Sequence, residues 1–266
     1  MSSPPDPPHF DRYVALGDST TEGLNDPGPG GAFRGWADRI AERLARVNPQ
    51  IRYANLAIRG RKLPQIRSEQ LAPALELEPD LASVLGGIND ILRPRVDLDW
   101  IESQLEEMVA ALRVGGARVL MFTYPDLSQT ISLAGGPIGA RIAQFNQRVR
   151  AVASRNDGLL ADLEANDVAH PKLWSVDRLH AGPLGHERIA DIAADALGLE
   201  PLDESWAESL PELLERGVRR RLTEDARWAG SHLGPWVGRR LRGVSSGDGL
   251  EPKRPRLEPV VAPEER

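Results

Sequence analysis

Short apolar runs alternate along the chain with longer stretches in which apolar residues recur every three or four positions. The short runs are Tyr13 to Leu16, Ile51 to Ala57, Asp80 to Leu85, Arg118 to Thr123 and Leu159 to Leu163. Each is too short for a stable helix and reads as a buried strand. Between them, Phe33, Trp36, Ala37, Ile40, Ala41, Leu44 and Val47 share one helix face, and Asn48-Pro49 closes that helix. Leu63 to Leu77, perturbed near Pro73, Asp99 to Val114, Pro137 to Asn156 and Pro183 to Leu197 are predicted as further helices. Strand and helix in alternation argue for a three-layer α/β/α fold with a central parallel sheet of about five strands, flavodoxin-like in layout.

The pattern also divides the chain. Residues 1–10 are rich in Pro and Ser and are expected to be disordered. Residues 11–200 carry the whole alternation and are predicted to be one domain. Residues 201–242 hold Leu210, Leu213, Leu214, Val218 and Leu222 at helical spacing, and read as a helical basic extension. Residues 243–266, rich in Pro, Gly and charge, are expected to be a disordered tail.

Composition narrows the chemistry. The chain has 266 residues, enough to bury a core without disulfide or metal. It has no cysteine, which removes disulfide scaffolds, zinc–cysteine sites, iron–sulfur clusters and a thiol nucleophile. The net charge of -6 argues against a polyanion-binding protein as a whole. Arg216 to Arg256 nevertheless hold 11 basic against 4 acidic residues. With the tryptophans at 228 and 236, residues 210–242 suggest contact with a membrane surface or a protein, or a helix packed back on the domain. Nucleic-acid contact is disfavoured, because no module pattern accompanies the charge. No apolar run is long enough to span a membrane, and MSSPPDPPHF lacks the features of a secretory signal. A cytoplasmic location is the expectation.

In a doubly wound fold, reactive side chains gather just beyond the carboxyl ends of the strands. Four segments stand there or before the last helix: Gly17-Asp18-Ser19, Asn55 to Gly60, Gly87-Ile88-Asn89-Asp90, and Asp177-Arg178-Leu179-His180. Each alone has an ordinary reading, as a helix cap, a turn or an accident of spacing. In this order they resemble the SGNH (GDSL-type) hydrolase family of esterases and lipases, over roughly residues 11–200.

The residue types suit that chemistry. A serine hydroxyl is a poor nucleophile until a base takes its proton. Imidazole titrates near neutrality, so a histidine can take it. An aspartate three residues earlier can hold the other ring nitrogen. The resemblance implies Ser19 as nucleophile, His180 as base and Asp177 as its orienting partner. It further implies an oxyanion hole made by the backbone N–H of Ser19, the backbone N–H of Gly60 and the side-chain amide of Asn89. His186 competes with His180 but has no aspartate three residues before it. Gly28-Pro29-Gly30-Gly31 lacks the Lys-Ser/Thr of a phosphate loop and is expected to shape a wall of the cleft. Arg59 and Arg61 read as solvated, or as contacts for an anionic substrate. Asp18 and Asp90 read as structural hydrogen bonders.

The expected reaction is hydrolysis of a small-molecule carboxylic ester through an acyl-enzyme, with no cofactor and no metal. The alternatives are a non-catalytic ligand-binding protein on the same fold, or a hydrolase recruited to an anionic membrane or a partner by its basic tail.

Overall fold

The computed structural model describes residues 8–93, 95–126, 137–166, 168–200, 230, 231, 234 and 245–262. The elements run β1 (Arg12–Gly17), α1 (Ser19–Glu22), α2 (Gly35–Val47), β2 (Arg52–Asn55), α3 (Leu63–Glu76), β3 (Leu81–Leu85), α4 (Ile88–Ile91), α5 (Leu98–Val114), β4 (Arg118–Phe122), α6 (Pro137–Arg155), β5 (Leu159–Ala161), α7 (Pro183–Leu197) and β6 (Arg254–Pro259). The strands form one sheet in the order β5-β4-β3-β1-β2-β6. The five strands expected from the sequence are all present and mutually parallel, and β6 adds to β2 antiparallel.

Helices α2 and α7 pack together on one face, and α3, α5 and α6 pack in sequence on the other. This division follows from strand order. The chain leaves β1 for β2 on one side, then returns past β1 to β3 on the other, and right-handed crossovers place the intervening helices on opposite faces. The carboxyl ends of β1 and β3 therefore meet where the order reverses, leaving a crevice between diverging connections.

Both faces of the inner strands are covered, which explains why they read as continuous apolar runs. Tyr13 to Leu16 and Leu81 to Leu85 are buried throughout. Several polar groups inside are paired across elements. Tyr13 and Ser83 hydroxyls lie 2.9 Å apart on adjacent strands, and the Tyr13 ring stacks on Tyr53 at 5.0 Å. Arg43 of α2, itself buried, pairs with Asp191 and donates to the Ala190 carbonyl of α7.

Two carboxyl strand ends are held by one amide each. Gln70, buried on α3, accepts from the Gly17 N–H and donates to the Gly17 carbonyl, both at 2.9 Å. Asn146, buried on α6, does the same for Tyr124 just beyond β4, both at 2.8 Å. At Gly17 a side chain would meet the Leu85 carbonyl at 2.5 Å, so glycine there is a packing requirement.

The two termini depart from expectation. Residues 1–7 lie outside the described residues, but Phe10 is buried, its carbonyl accepting from Asn48 at 2.9 Å and its ring beneath the Arg118 guanidinium. Within the tail expected to be disordered, Arg254 to Pro259 pair with Arg52 to Asn55. The edge of β2 exposes unpaired backbone groups, and a sixth strand satisfies them. Proline is tolerated on an edge strand, where one side of the backbone needs no partner. Lys253 fixes the entry to β6: its ammonium donates to the Phe33 and Arg34 carbonyls at 3.0 and 2.9 Å, and pairs with Asp38 of α2. Part of the basic excess of the tail is thus structural. The extension expected over residues 201–242 falls almost wholly outside the described residues. Among the described residues no helix is long and apolar enough to cross a membrane.

Replacing Gln70 by Leu keeps the bulk but removes the side-chain partner of the Gly17 N–H and the shorter of two bonds to the Gly17 carbonyl, which retains the Ile58 N–H at 3.4 Å. Each buried group left unpaired costs about 1–3 kcal/mol. We expect urea denaturation to show Gln70→Leu less stable by about 2 kcal/mol or more. A loss within about 0.5 kcal/mol, the range of ordinary surface substitutions, would show the clamp to be dispensable.

Candidate active site

The crevice beyond β1 and β3 gathers the four segments singled out in the sequence. β1 ends at Gly17, Asp18 follows, and Ser19 begins α1. The N-cap is Asp18, whose carboxylate accepts from the Thr20 N–H at 3.2 Å, so Ser19 is not the cap. As first residue of the helix, Ser19 has an N–H with no intrahelical acceptor.

A chain of hydrogen bonds leads away from the Ser19 hydroxyl. Its Oγ lies 3.1 Å from His180 Nε2, and His180 Nδ1 lies 2.8 Å from Asp177 Oδ2. The segment holding both partners is a turn tightened by Arg178 at φ 54°. That turn aims the Leu179 and His180 N–H groups at Asp177 Oδ1, each at 3.0 Å. The Ser175 hydroxyl donates to the same oxygen at 2.6 Å. Burial pushes the Asp177 carboxyl up, but the hydrogen bond and charge of His180, with the Ser175 and Leu179 donors, outweigh it and hold the group well below the usual carboxylate range. An ionised carboxylate at Nδ1 makes that nitrogen the protonated one. Nε2 is then the acceptor for the serine proton.

One contributor carried no sequence signal. Asn25, in the left-handed region at φ 71° after α1, donates its amide to Asp177 Oδ2 and to Ser175 Oγ, both at 2.9 Å. It ties the segment bearing the aspartate to the helix bearing the serine. Only the folded chain brings positions 25 and 177 together.

Gly60 and Asn89 lie on the other flank. Asn89 Nδ2 is 3.0 Å from Asp18 Oδ2 and 3.0 Å from the Arg61 carbonyl. Its amide therefore links the residue before Ser19 to the residue after Gly60. Gly60 has φ 77°, the region only glycine adopts freely, and a Cβ there would meet Ser245 Oγ at 2.2 Å. Glycine is thus required by turn conformation and by a neighbour from the C-terminal segment.

The arginines around Gly60 are neither solvated nor turned to a substrate. The Arg59 backbone N–H and guanidinium both meet the buried Glu22 carboxylate of α1, the N–H at 2.8 Å, and the guanidinium lies over the Phe33 ring at 5.1 Å. Arg61 bridges Glu69 and Asp248 at 2.7 and 3.0 Å. Phe33, two residues beyond the Gly28–Gly31 loop, thus lies against this wall.

The remaining histidines have other tasks. His186 is buried, accepting from the Trp36 N–H at Nδ1 (3.3 Å), with Nε2 3.1 Å from the Leu24 carbonyl. Burial drives its pKa down to about 4, leaving a neutral ring that joins α7 to α2. His170 caps a short turn at Pro171–Leu173, and His9 meets Asn48. Among the described residues no group of three or more His, Asp or Glu side chains is placed to hold a metal ion.

Asp18 is fully buried, and burial foremost pushes its pKa up to about 7, against the Thr20 and Asn89 hydrogen bonds and the His180 charge. A folded-state value above the ordinary 3.8 means the native state binds a proton that the unfolded chain has released. The stability contributed by this group is full below about pH 4 and is lost as pH rises toward about 7. We expect the parent to lose stability relative to Asp18→Asn across that window. Urea denaturation at both ends checks it, and a constant difference would contradict the assignment.

Residues 15–188 match the GDSL-like Lipase/Acylhydrolase family. An acetylxylan esterase of Geobacillus stearothermophilus is 25% identical over 213 residues, 71% of this chain and 95% of that protein. A crystal structure of Axe2, an acetylxylan esterase from that organism, superposes with TM-score 0.63 at 22% identity, covering 77% of this chain and 100% of its own. That of LAE5, an alpha/beta hydrolase enzyme from the metagenome of Lake Arreo, Spain, superposes with TM-score 0.61 at 22% identity, covering 71% and 95%. The four segments sit where a fold of this type holds its reactive groups, and the family match spans all of them: the chain belongs to the GDSL-like lipase/acylhydrolase family and is a carboxylic ester hydrolase.

Proposed function

We propose that the chain hydrolyses esters through an acyl-enzyme formed on Ser19. The observation that carries this reading is the unbroken relay from Ser19 Oγ to His180 to Asp177, at 3.1 and 2.8 Å. His180 Nε2 takes the hydroxyl proton as Ser19 Oγ attacks the ester carbonyl. The carbonyl oxygen becomes an oxyanion, and the imidazolium then gives the proton to the departing alkoxide. Water repeats the sequence on the acyl-enzyme, with His180 again as base, and the acid leaves. Asp177 stays ionised, fixes the tautomer and stabilises the imidazolium.

The Ser19 and Gly60 amides are assigned as oxyanion donors, with Asn89 Nδ2 as the third. Both Asn89 amide hydrogens are directed to Asp18 and to the Arg61 carbonyl, so Asn89 meets the oxyanion by releasing one of these bonds. A fixed donor at a developing oxyanion is worth about 3–4 kcal/mol of barrier. The acyl portion is assigned as short, in keeping with the likeness to acetylxylan esterases. Alanine variants of a serine, an aspartate and a histidine in Axe2 are described as catalytic mutants, the same residue types as this relay.

Ser19→Ala should abolish labelling by a fluorophosphonate and lower kcat on an aryl acetate by at least about 10³-fold. Asp177→Asn, which favours the wrong tautomer, should lower kcat by about 10⁴-fold. Labelling that persists in Ser19→Ala would sink the assignment. An aryl ester series from acetate to octanoate should show kcat/KM falling with acyl length; a rise toward octanoate would overturn the short-acyl assignment.

A further inference from the structure

The C-terminal segment does more than complete the sheet. Before β6, Ser245 to Asp248 form a turn that sits directly on Arg59-Gly60-Arg61 and meets all three residues. Ser245 Oγ lies 2.2 Å from where a Gly60 Cβ would stand. Gly247 lies against Arg59 so closely that a Cβ would fall 2.1 Å from the Arg59 carbonyl oxygen and 2.9 Å from Ile58 Cγ2. Asp248 Oδ1 accepts from Arg61 Nη1 at 3.0 Å. The turn is braced from within. Asp248 Oδ2 accepts from the Ser245 N–H at 2.7 Å, and Ser245 Oγ accepts from the Gly247 N–H at 3.2 Å.

Arg59 is also held by Glu22, which follows Ser19 by three positions and takes the Arg59 N–H and guanidinium. The Gly60 turn is therefore gripped between α1 and the C-terminal turn. Lys253, bound to two carbonyls and Asp38, and β6, bound along β2, anchor the second jaw to the domain. A peptide in the left-handed region with no side chain has few contacts of its own to fix it. Its direction is set by what lies against it.

We propose that Ser245, Gly247 and Asp248 are positioning residues for hydrolysis: they form a clasp that holds the Arg59–Gly60 peptide in the orientation its N–H needs to meet the oxyanion. This rests on the oxyanion role assigned to Gly60 above. The clasp touches no reacting atom. Its effect falls on kcat, because a donor displaced by about 1 Å can cost up to about 100-fold while ground-state binding is little changed.

The test uses the full chain with Gly247→Ala, Gly247→Val and Asp248→Ala. A Cβ at position 247 pushes the Arg59 carbonyl, and Asp248→Ala releases Arg61 without adding bulk. On an aryl acetate, kcat should fall about 3-fold for Gly247→Ala and 10-fold or more for Gly247→Val and Asp248→Ala, with KM within about 2-fold. The shape of the pH–rate profile should stay that of the parent, because the Ser19–His180–Asp177 relay is untouched. Asp248→Glu should recover most of the loss. Hydrogen exchange of the peptide spanning Ile58 to Arg61, whose Arg59 and Arg61 N–H groups are bonded in the parent, should quicken in both disruptive variants.

Unchanged exchange with unchanged kcat overturns the clasp. Quickened exchange with unchanged kcat overturns its positioning role and leaves a purely structural contact. Should Gly247→Val fail to fold, Asp248→Ala and its Glu rescue decide by the same readings. A parent without Ser19-dependent hydrolysis would overturn the esterase mechanism instead, and the exchange measurement would still report whether these residues hold the turn.

Discussion

The peptide of Gly17 is bound on both sides by one amide, that of Gln70, and much else depends on where that peptide lies. It is the last link of β1. Asp18 must follow directly to cap α1, and Ser19 must begin it, so the direction of the serine hydroxyl is inherited from the end of the strand. A central strand between β2 and β3 cannot drift along its axis without breaking both ladders. Gln70 stops the remaining motion, the swing of the strand end. Because the clamp comes from α3, it also ties the serine to the helix that follows the Gly60 turn. Ser19 and the Gly60 turn are thus referenced to one rigid frame rather than to each other through solvent-exposed loops.

The site repeats the same device. Short polar side chains from one segment bind the backbone or side chains of another: Asn89 joins Asp18 to Arg61, Asn25 joins α1 to the Asp177 turn, and Asn146 secures the end of β4. Each is buried or half-buried, where a hydrogen bond gains strength and an unmet group is costly. The charged residues divide in a related way. Asp177 is surrounded by donors and stays ionised. Asp18, a few ångströms into the protein, has fewer opposing donors and is pushed toward the neutral form. Two carboxyls of the same type thus take different states by environment alone.

The parts legible in the sequence were those with a period or a spacing. Strands buried on both faces gave continuous apolar runs, and helices with one covered face gave the three-to-four repeat, so five strands and the long helices were readable within a few residues. Ser19, Asp177 and His180 can be singled out because short motifs follow strand ends or precede a helix, and the fold brings their side chains into one chain of hydrogen bonds. What was hidden depends on contacts between distant segments. Asn25 and Ser175 are common polar residues with no local mark. The pairing of Arg59 with Glu22 exists only after β2 and α1 are side by side. β6 escaped because Arg254-Pro255-Arg256-Leu257-Glu258-Pro259 has the composition of a flexible tail; its strand character is conferred by the open edge of β2 rather than by its own residues.

That edge pairing has a consequence for how the molecule assembles. Arg52 donates to the Leu257 carbonyl across 205 positions of chain. Contacts so remote are entropically expensive to close and tend to form after local structure is in place. The parallel strands and their helices have local partners and can condense first, with β2 still an open border. On that ordering the docking of β6 would seal the sheet and enclose the Gly60 turn last. Closure of the sheet edge and enclosure of the Gly60 turn would then coincide, and a species halted before it would keep most of its secondary structure while presenting an unpaired strand to its neighbours.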